Sequence, residues 1–586
     1  MITFAGILCN ICQNRHIMNQ KLTNLRKSMQ QYGIDLYLMV NADPHESEYL
    51  PDYWKCVTWL TGFRGEVATV IVTQTEALLW TDSRFFLSGA QQLDGSGFTL
   101  MKMKVDIAAD TWLENYSKQS GKAIVIGGDR RVIFGRMSEF VSFDIDLISP
   151  LWENRPKLPQ GKIEIYPDSY NGVSAAEKIQ HVLASIRKEG KQNALFLKSL
   201  DDIAWVLNLR GSDIHCTPVF MSYLLLTDNR KVLYVDNRKL TPDVNAYLKK
   251  LGIETEPYEN APLTAPEGLS YTKNNPIPLM KAIKNPVEIE GFRKAMLKDG
   301  IALTRFFHWL ETALNAGERI TEMDCASQLI LFRKAFEDYR EESFDAIVAW
   351  NEHGALPHYE PRPESNVPIQ GDGLLLIDTG GQYLDGTTDI TRTIGIGKVS
   401  DAMKRDFTLV LKGHIRLASA VFPEGTRGDQ LDALARMDLW RDGKTYRHGT
   451  SHGVGHFLGC HEGPESVRME HNPQVLLEGM FFSNEPAIYL GRKYGIRHEN
   501  CVLVRSFDVQ KDAPGSTPCD QSEHGKFLKL ETLTLCYIDT SCIDIQLLNS
   551  EETDWVNNYN RHVYKTLSPF LEEPDCKWLE EKCSKI

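Results

Sequence analysis

The stretch 374–393, LLLIDTGGQYLDGTTDITRT, determines the fold prediction for the whole chain. Its apolar start, residues 374–377, predicts a buried strand. The Gly-Gly pair that follows predicts a turn, and the β-branched run 387–394 predicts a returning strand. A hairpin of this kind would bring the carboxylates of Asp378 and Asp389 to one small site.

Three later segments add the other side chains that a metal site needs. They contribute His452 in HGTSHGVGHFLGCHEGP, Glu485 in FFSNEPAIYL and Glu499 in GIRHENCVLV. With the two aspartates they form a set of four carboxylates and one imidazole, which offsets most of the charge of two divalent cations. Carboxylates can bridge adjacent cations, and an oxygen-rich set with one histidine favours Mn²⁺, with Co²⁺ or Zn²⁺ as alternatives.

The ligand order and the sequence around it resemble a known family. The order Asp, Asp, His, Glu, Glu, set in DGTTDITRT, HGTSHGVGHFLGCHEGP, NEP and GIRHEN, is similar to the catalytic domain of the pita-bread metallopeptidases. That superfamily includes methionine aminopeptidase, prolidase and aminopeptidase P. Within it, the chain most resembles the large three-domain Xaa-Pro aminopeptidases (aminopeptidase P). The resemblance begins near Leu22 and continues to the C-terminus.

The resemblance implies a role for each of the five ligands. Asp378 would chelate one metal, and Asp389 and Glu499 would bridge both. His452 and Glu485 would complete the shell of the other metal. Glu485 would also be the catalytic general base toward the bridging water.

It also implies roles for residues that contact the substrate. His358, in LPHYEP, would be a catalytic residue that orients the substrate and the transition state. His461 would be a second catalytic residue, near the scissile amide, and His448 would line the substrate pocket. Arg497 would lie near the site and support proton movement; it precedes Glu499 by two residues, so on a strand both face one way. Tyr489 would occupy an outer position.

A histidine repeat allows a second interpretation. His448, His452 and His456 recur every four residues, which would suit a helical zinc motif. The glycines between them disfavour a helix, because each costs about 1 kcal/mol in a helix interior. We therefore expect His456 to lie outside the metal shell. His498 stands where the family usually has an aliphatic residue, and alternation predicts that it points away from the metals.

The composition bounds the class of protein. At 586 residues the chain is too long for a single hydrophobic core. Its composition, 42% hydrophobic and 24% charged, is ordinary for a globular protein. A net charge of −13 argues against a nucleic-acid partner. The 12 cysteines have no disulfide or zinc-site spacing, and no run predicts a membrane span or targeting signal, so we expect a cytoplasmic protein. Residues 1–17 could be an artefact of start-site choice.

Alternating strand and helix patterns give way to long helical patterns along the chain. Together with the resemblance, they predict two related N-terminal α/β domains of the creatinase N-terminal type, followed by an α+β pita-bread catalytic domain. The predicted bounds are 18–160, 161–285 and 286–510, with a C-terminal extension at 511–586 packed on the catalytic domain.

The first two predicted domains share sequence. Trp59-Leu-Thr-Gly-Phe-Arg64-Gly65 aligns with Trp205-Val-Leu-Asn-Leu-Arg210-Gly211, and Trp80-Thr-Asp82-Ser-Arg84 aligns with Tyr234-Val-Asp236-Asn-Arg238. We interpret the match as an internal duplication. In the first copy, the loop with Asp43, His45 and Tyr49 resembles one that in this family can approach the active site of a neighbouring subunit.

The resemblance implies metal-dependent release of the N-terminal residue from peptides with proline in the second position. A dipeptidase that cleaves Xaa-Pro shares every ligand, and a non-catalytic pita-bread binding protein is the alternative from another class. The resemblance also implies a homodimer. Neither a nucleic acid nor a membrane is expected as a partner, and the physiological peptide stays open.

Overall fold

The computed structural model describes residues 19–188, 193–512 and 524–586. The start-site question at residues 1–17 therefore lies outside the described residues. In these three ranges, no helix combines the length and the apolar character needed to cross a membrane.

A six-stranded sheet and its helices form the first sheet unit. In spatial order its strands are Thr99–Lys102, Ala77–Thr81, Thr69–Thr73, Leu36–Val40, Ile126–Gly128 and Phe143–Asp144. Its helices are residues 19–31, Cys56–Thr61, Phe86–Leu93, Ala109–Gln119 and Gly135–Phe140. The strand Leu36–Val40 is almost fully buried, because helices cover the sheet.

A four-stranded sheet and its helices form the second sheet unit. In spatial order its strands are Glu254–Glu256, Lys231–Val235, Ser222–Thr227 and Ala194–Leu197. Its helices are Asp168–Asn171, Ala175–Lys188, Leu200–Leu207 and Pro242–Lys250, and Ile277–Ala282 follows them. A short two-stranded ladder joins Glu164–Ile165 to Leu209–Arg210.

The second unit repeats the topology of four strands of the first, as the sequence alignment predicts. In both, the order from the outer edge is one parallel pair followed by two antiparallel pairs. In both, an aspartate caps a single 3-10 turn and binds the arginine two residues later: Asp82 with Arg84, and Asp236 with Arg238. The repeat therefore extends from sequence to strand order and to a shared turn.

From residue 286 onward, several small antiparallel sheets form a third region. Its strands, sheet by sheet, are Ile347–Trp350 with Gly373–Thr379 and Ile390–Ile396; Tyr339–Glu342 with Gly381–Tyr383 and Gly386–Thr387; Val421–Pro423 with Phe527–Thr532, Asn500–Ser506 and Phe481–Asn484; and Ala487–Leu490 with Tyr494–Arg497.

Helices cover the outside of these sheets. They are Pro286–Asn315, Glu322–Arg333, Asp401–Ala418, Gly428–Arg441, Val509–Asp512, Ser550–Leu567 and Glu573–Lys582. The first starts sharply, because Asn285 and Glu288 form a capping box and Pro286 stands at the first helical position. The helix Ser550–Leu567 contributes Val556 and Val563 to the largest hydrophobic core of the third region.

The predicted turn at Gly380 and Gly381 is wrong. Strand Gly373–Thr379 does pair with Ile390–Ile396, but the chain between them makes a second small hairpin in another sheet. Two backbone segments approach each other closely where Thr388 donates its N–H to Gly381 O at 2.9 Å. A Cβ on Gly380 would lie 2.0 Å from the Thr388 carbonyl oxygen, so glycine is required for this approach rather than for a tight turn.

Candidate metal centre

The five predicted ligands converge from the ends of two strand ladders and from one loop. Asp378 lies on Gly373–Thr379 opposite Thr391, and Asp389 immediately precedes the partner strand. Glu485 and Glu499 flank the paired residues Asn484 and Asn500 at the end of another ladder.

His452 stands on a loop that is fixed to the same ladder. Its backbone N–H donates to Ser483 Oγ at 3.2 Å, and its carbonyl oxygen accepts from the Ser483 N–H at 2.9 Å. The segment 448–462 contains no helix, which agrees with the glycine argument.

Three of the ligands are already at coordinating range of each other. Asp389, His452 and Glu499 each offer a ligand atom within 4.8 Å of the other two. His452 Nε2 lies 3.3 Å from Asp389 Oδ2 and 3.8 Å from Glu485 Oε1. Asp378 joins the group through the guanidinium of Arg497, with which it forms an ion pair.

The electrostatics of this cluster fit a pair of cations. Burial and the neighbouring carboxylates raise the pKa of Glu499 well above its usual range, and burial likewise raises the pKa values of Asp378 and Glu485. Burial also acts to raise the pKa of Asp389, but the His452 ring outweighs it and lowers that pKa. Asp378 Oδ1 is buried and accepts no hydrogen bond from the described residues. A bound cation would offset the mutual repulsion of the carboxylates and would coordinate the unpartnered oxygen of Asp378.

Arg497 connects the carboxylates through a hydrogen-bond network. Its Nε donates to Thr391 Oγ1 at 3.0 Å, and the Thr391 hydroxyl donates to Glu499 Oε2 at 2.8 Å. One terminal nitrogen of Arg497 also donates to the Tyr489 hydroxyl at 2.5 Å. Arg497 and Glu499 thus face the same side, as strand alternation predicts.

The predicted substrate histidines border the ligands. His448 Nε2 lies 2.9 Å from the Tyr489 hydroxyl, and its Nδ1 lies 3.9 Å from Glu485 Oε2. Burial, reinforced by Arg497, lowers the pKa of His448 well below its usual range, so this ring is neutral. The His461 ring stands 4.2 Å from the His452 ring, measured between centroids. All of them, with His358, line one cleft of about 1860 Å³.

Comparison with known proteins identifies the family. The model of "Metallopeptidase family M24" matches residues 290–506, the "Creatinase/Prolidase N-terminal domain" matches 154–270, and the "C-terminal region of peptidase_M24" matches 526–586. A "Probable Xaa-Pro aminopeptidase P" of Laccaria bicolor is 37% identical, covering 97% of this chain and 94% of its own length. The chain belongs to the aminopeptidase P family of M24 metallopeptidases.

Other members of this family agree over nearly the full length. "Aminopeptidase P2" of Arabidopsis thaliana is 34% identical, covering 96% of this chain and 87% of its own. The crystal structure of X-prolyl aminopeptidase from Caenorhabditis elegans, described as a cytosolic enzyme with a di-nuclear active site, superposes with a TM-score of 0.89 at 33% identity. It covers 97% of this chain and 100% of its own. These matches confirm the predicted fold class.

Two further histidines lie away from the candidate ligands, as the glycines around His456 and strand alternation at His498 predict. His456 packs against Phe292 and lies 3.3 Å from the Tyr166 hydroxyl. His498 points to the other side of its segment and packs edge-on against Phe407, with ring centroids 4.3 Å apart.

Two glutamates of the first sheet unit, which no sequence motif indicates, also line the cleft. Glu48 Oε1 lies 2.7 Å from His461 Nδ1. Burial acts against the charged form of each partner. The ion pair nevertheless lowers the pKa of Glu48 to about 2 and raises that of His461 to about 9. Glu66 Oε2 lies 3.4 Å from His358 Nδ1.

In the loop 41–54, the family resemblance points to residues other than Glu48. Asp43 caps its own turn, and His45 faces the second sheet unit, where its ring contacts Lys198 O and the Tyr258 hydroxyl. The same loop carries Glu48 into the cleft of its own chain. Cys460 is a further addition, because its thiol donates to Asp389 Oδ2 at 3.2 Å.

Proposed function

We propose that this protein is an Xaa-Pro aminopeptidase that uses two divalent cations to release the N-terminal residue from peptides with proline second. The observation that carries the proposal is the convergence of the five-ligand set with three histidines in one cleft. The metals would be held by Asp378, Asp389, His452, Glu485 and Glu499. The family relatives that match over nearly the whole chain are named for this activity.

Proline explains why a dedicated peptidase is needed. Its nitrogen carries no hydrogen and its φ is locked, so a site that grips an N–H at that position cannot bind it. In the proposed enzyme, a pocket that matches the shape of proline would select it instead. Further acidic side chains that line the cleft would favour the free amino group of the substrate.

A side chain of the protein would accept the proton of the attacking water and return it to the leaving group. When bound, the two cations supply Lewis acidity that lowers the pKa of water and polarises a carbonyl. Glu485 lies between His452 and His448, where its carboxylate would act as the general base that accepts the proton of the attacking water. The departing proline nitrogen needs a proton, and the protonated Glu485 carboxyl is positioned to return it.

The remaining residues orient the substrate. His358 and His461 would contact the reacting carbonyl and the scissile amide. His448 and Arg497, which share the Tyr489 hydroxyl, would line the pocket, and Arg497 would also hold Asp378 in place. Each histidine has a carboxylate or hydroxyl partner, which restricts its ring orientation.

Four finer assignments belong to the same proposal. The oxygen-rich ligand set favours Mn²⁺. The family resemblance supports a homodimer in which the C-terminal extension contributes the contact. The cytosolic description of the C. elegans enzyme supports a cytoplasmic location. The predicted domain bounds stay a prediction.

Hydrolysis of Arg-Pro-Pro and Gly-Pro by metal-stripped protein, with and without added Mn²⁺, Co²⁺ or Zn²⁺, tests the proposal. We expect metal-dependent release of arginine from the tripeptide, and we expect Asp389→Asn to abolish it with loss of bound metal. Cleavage of the dipeptide alone would identify a dipeptidase. No cleavage of either by folded, metal-loaded protein would leave a binding protein.

A further inference from the structure

Glu66 is the acidic side chain of the first sheet unit that faces His358. Its Oε2 lies 3.4 Å from His358 Nδ1, and the two side chains are 22% and 29% exposed. Among the described residues, no donor other than the His358 ring is in position to satisfy Glu66 Oε2. The pair therefore joins the first sheet unit directly to a histidine of the cleft.

The local structure holds Glu66 firmly. The Asn41 side-chain amide donates to the carbonyl oxygens of Gly65 at 3.2 Å and of Glu66 at 2.9 Å, which fixes the backbone on both sides of the peptide bond. A Cβ on Gly65 would lie 2.5 Å from Phe63 and 2.8 Å from Phe85, so glycine allows both rings to pack against this segment.

The same packing places a second contact on the histidine. The ring of Phe85 meets the His358 ring edge-on, with centroids 5.3 Å apart. His358 is thus held by a carboxylate at one nitrogen and an aromatic ring at its edge. Both contacts come from the first sheet unit, about 300 residues earlier in the chain.

The chemistry of the pair favours one arrangement of the ring. Burial alone would raise the pKa of Glu66, but the His358 ring lowers it below its usual range, so the carboxylate is charged. A carboxylate facing Nδ1 favours a proton on that nitrogen, which leaves Nε2 as the ring nitrogen available to a peptide. The arrangement parallels the carboxylates that orient histidines in other enzyme sites.

We propose that Glu66 is a positioning residue for His358, and that the first sheet unit thereby sets the geometry with which the enzyme holds the reacting carbonyl. The proposal rests on the proposed function, since His358 is assigned there to the carbonyl. It concerns the substrate histidine alone and requires no change at the metal ligands.

A double-mutant cycle separates this role from a merely structural one. Glu66→Gln keeps the size of the side chain and removes its charge, and it is combined with His358→Ala in the Mn²⁺-loaded enzyme acting on Arg-Pro-Pro. We expect Glu66→Gln alone to lower kcat about tenfold with little change in KM, because a misplaced contact acts mainly in the transition state. Glu66→Asp should recover part of that loss.

The effect should vanish where His358 is absent. In the His358→Ala background, Glu66→Gln should change kcat by less than about twofold, since the residue acts through the missing ring. Equal losses in both backgrounds, or no loss in the single variant, would overturn the proposal. An inactive wild-type enzyme would instead refute the proposed function.

Lys104→Ala is the matched control. Lys104 also joins the first sheet unit to the third region, through an exposed ion pair with Glu470 at 2.6 Å. We expect it to leave kcat unchanged. A loss in Lys104→Ala equal to that in Glu66→Gln would mean that both act by loosening the units, and it would overturn the positioning role. Metal content and the thermal midpoint are measured for every variant.

Discussion

The two sheet units share a four-stranded topology, but equivalent residues differ in how deeply they are buried. Arg64 and Arg210 occupy aligned positions after equivalent helices. Arg64 is exposed and pairs with Glu364 at 3.0 Å, with side chains 42% and 58% exposed. Arg210 is only 5% exposed and donates to four backbone carbonyl oxygens, including those of His456 and Phe457. Arg64 of the first unit thus lies at the edge of the cleft. Arg210 of the second unit instead holds the backbone of residues 456 and 457.

The same division applies around His461. The first unit reaches its side chain from the cleft through Glu48. The second unit holds the backbone behind it, because Asp201 accepts the Gly459 N–H at 2.9 Å. The two units thus contact the site in different ways: the first unit contacts the His461 side chain in the cleft, and the second unit holds the backbone behind it.

The largest expected difference between the two units is in the free energy of unfolding. We expect Arg210→Ala to lower the free energy of unfolding by about 4 kcal/mol, because four buried carbonyl oxygens lose a charged donor. Arg64→Ala should cost less than about 1 kcal/mol, since exposed ion pairs contribute little. Urea unfolding of both variants measures the difference. Equal costs at the two positions would show that the copies do not differ in this way.

The junction of the two units should be sensitive to acid. The buried ring of His45 lies 2.8 Å from Lys198 O and 2.7 Å from the Tyr258 hydroxyl, and burial lowers its pKa from 6.5 to about 4. The folded protein therefore binds fewer protons than the unfolded chain between these values. Stability from the neutral ring is complete above the ordinary pKa and is lost as pH falls toward the folded one, by roughly 3 kcal/mol in all.

Replacing the ring tests that sign. His45→Gln should lose less stability than the wild type between pH 7 and pH 4.5, by about 2–3 kcal/mol in urea unfolding. His181→Gln, at an exposed position of the second unit, is the control and should follow the wild-type curve. An unchanged slope for His45→Gln would show that the junction is not the acid-sensitive contact.

Sequence alone predicts the candidate metal ligands because each lies in a short local motif, and the structure brings all five side chains to one cleft. Asp378, Asp389 and Glu499 are specified by strand ends and by a period of two, which local sequence encodes. The paired strands are predicted correctly but the turn between them is not, because the need for glycine comes from a backbone contact with Thr388 that no local pattern shows.

The contacts from the first sheet unit could not be predicted for a different reason. Glu48 and His461 are 413 residues apart, and they meet only because three regions pack around one cleft. Charge at position 48 or 66 is ordinary for a surface loop. The packing of whole units, which determines the partner, is a long-range property that spacing and composition do not encode.

A change at Glu48 should affect activity and spare stability. We expect Glu48→Gln to lower kcat/KM about tenfold on Arg-Pro-Pro, because His461 loses the carboxylate that fixes its ring. The free energy of unfolding should change by less than about 1 kcal/mol, since the glutamate is 36% exposed. Glu46→Gln, an exposed change on the same loop, is the control. A large stability loss with unchanged kcat/KM would assign the first unit a supporting role too.

The smallest expected effect is a change in KM, and it concerns the aspartate–arginine turn that both units share. Arg84 binds Asp82 at 2.7 Å with its side chain 23% exposed in the cleft, whereas the side chain of Arg238 is 68% exposed on its own turn. Arg84 also faces the charges of Glu48 and Glu66. We expect Arg84→Ala to raise KM about threefold, the size of one weakened ion pair. Arg238→Ala should leave KM within error. Parallel KM measurements on Arg-Pro-Pro decide the matter, because equal responses of the two variants would mean that the repeated turn has the same structural task in both copies.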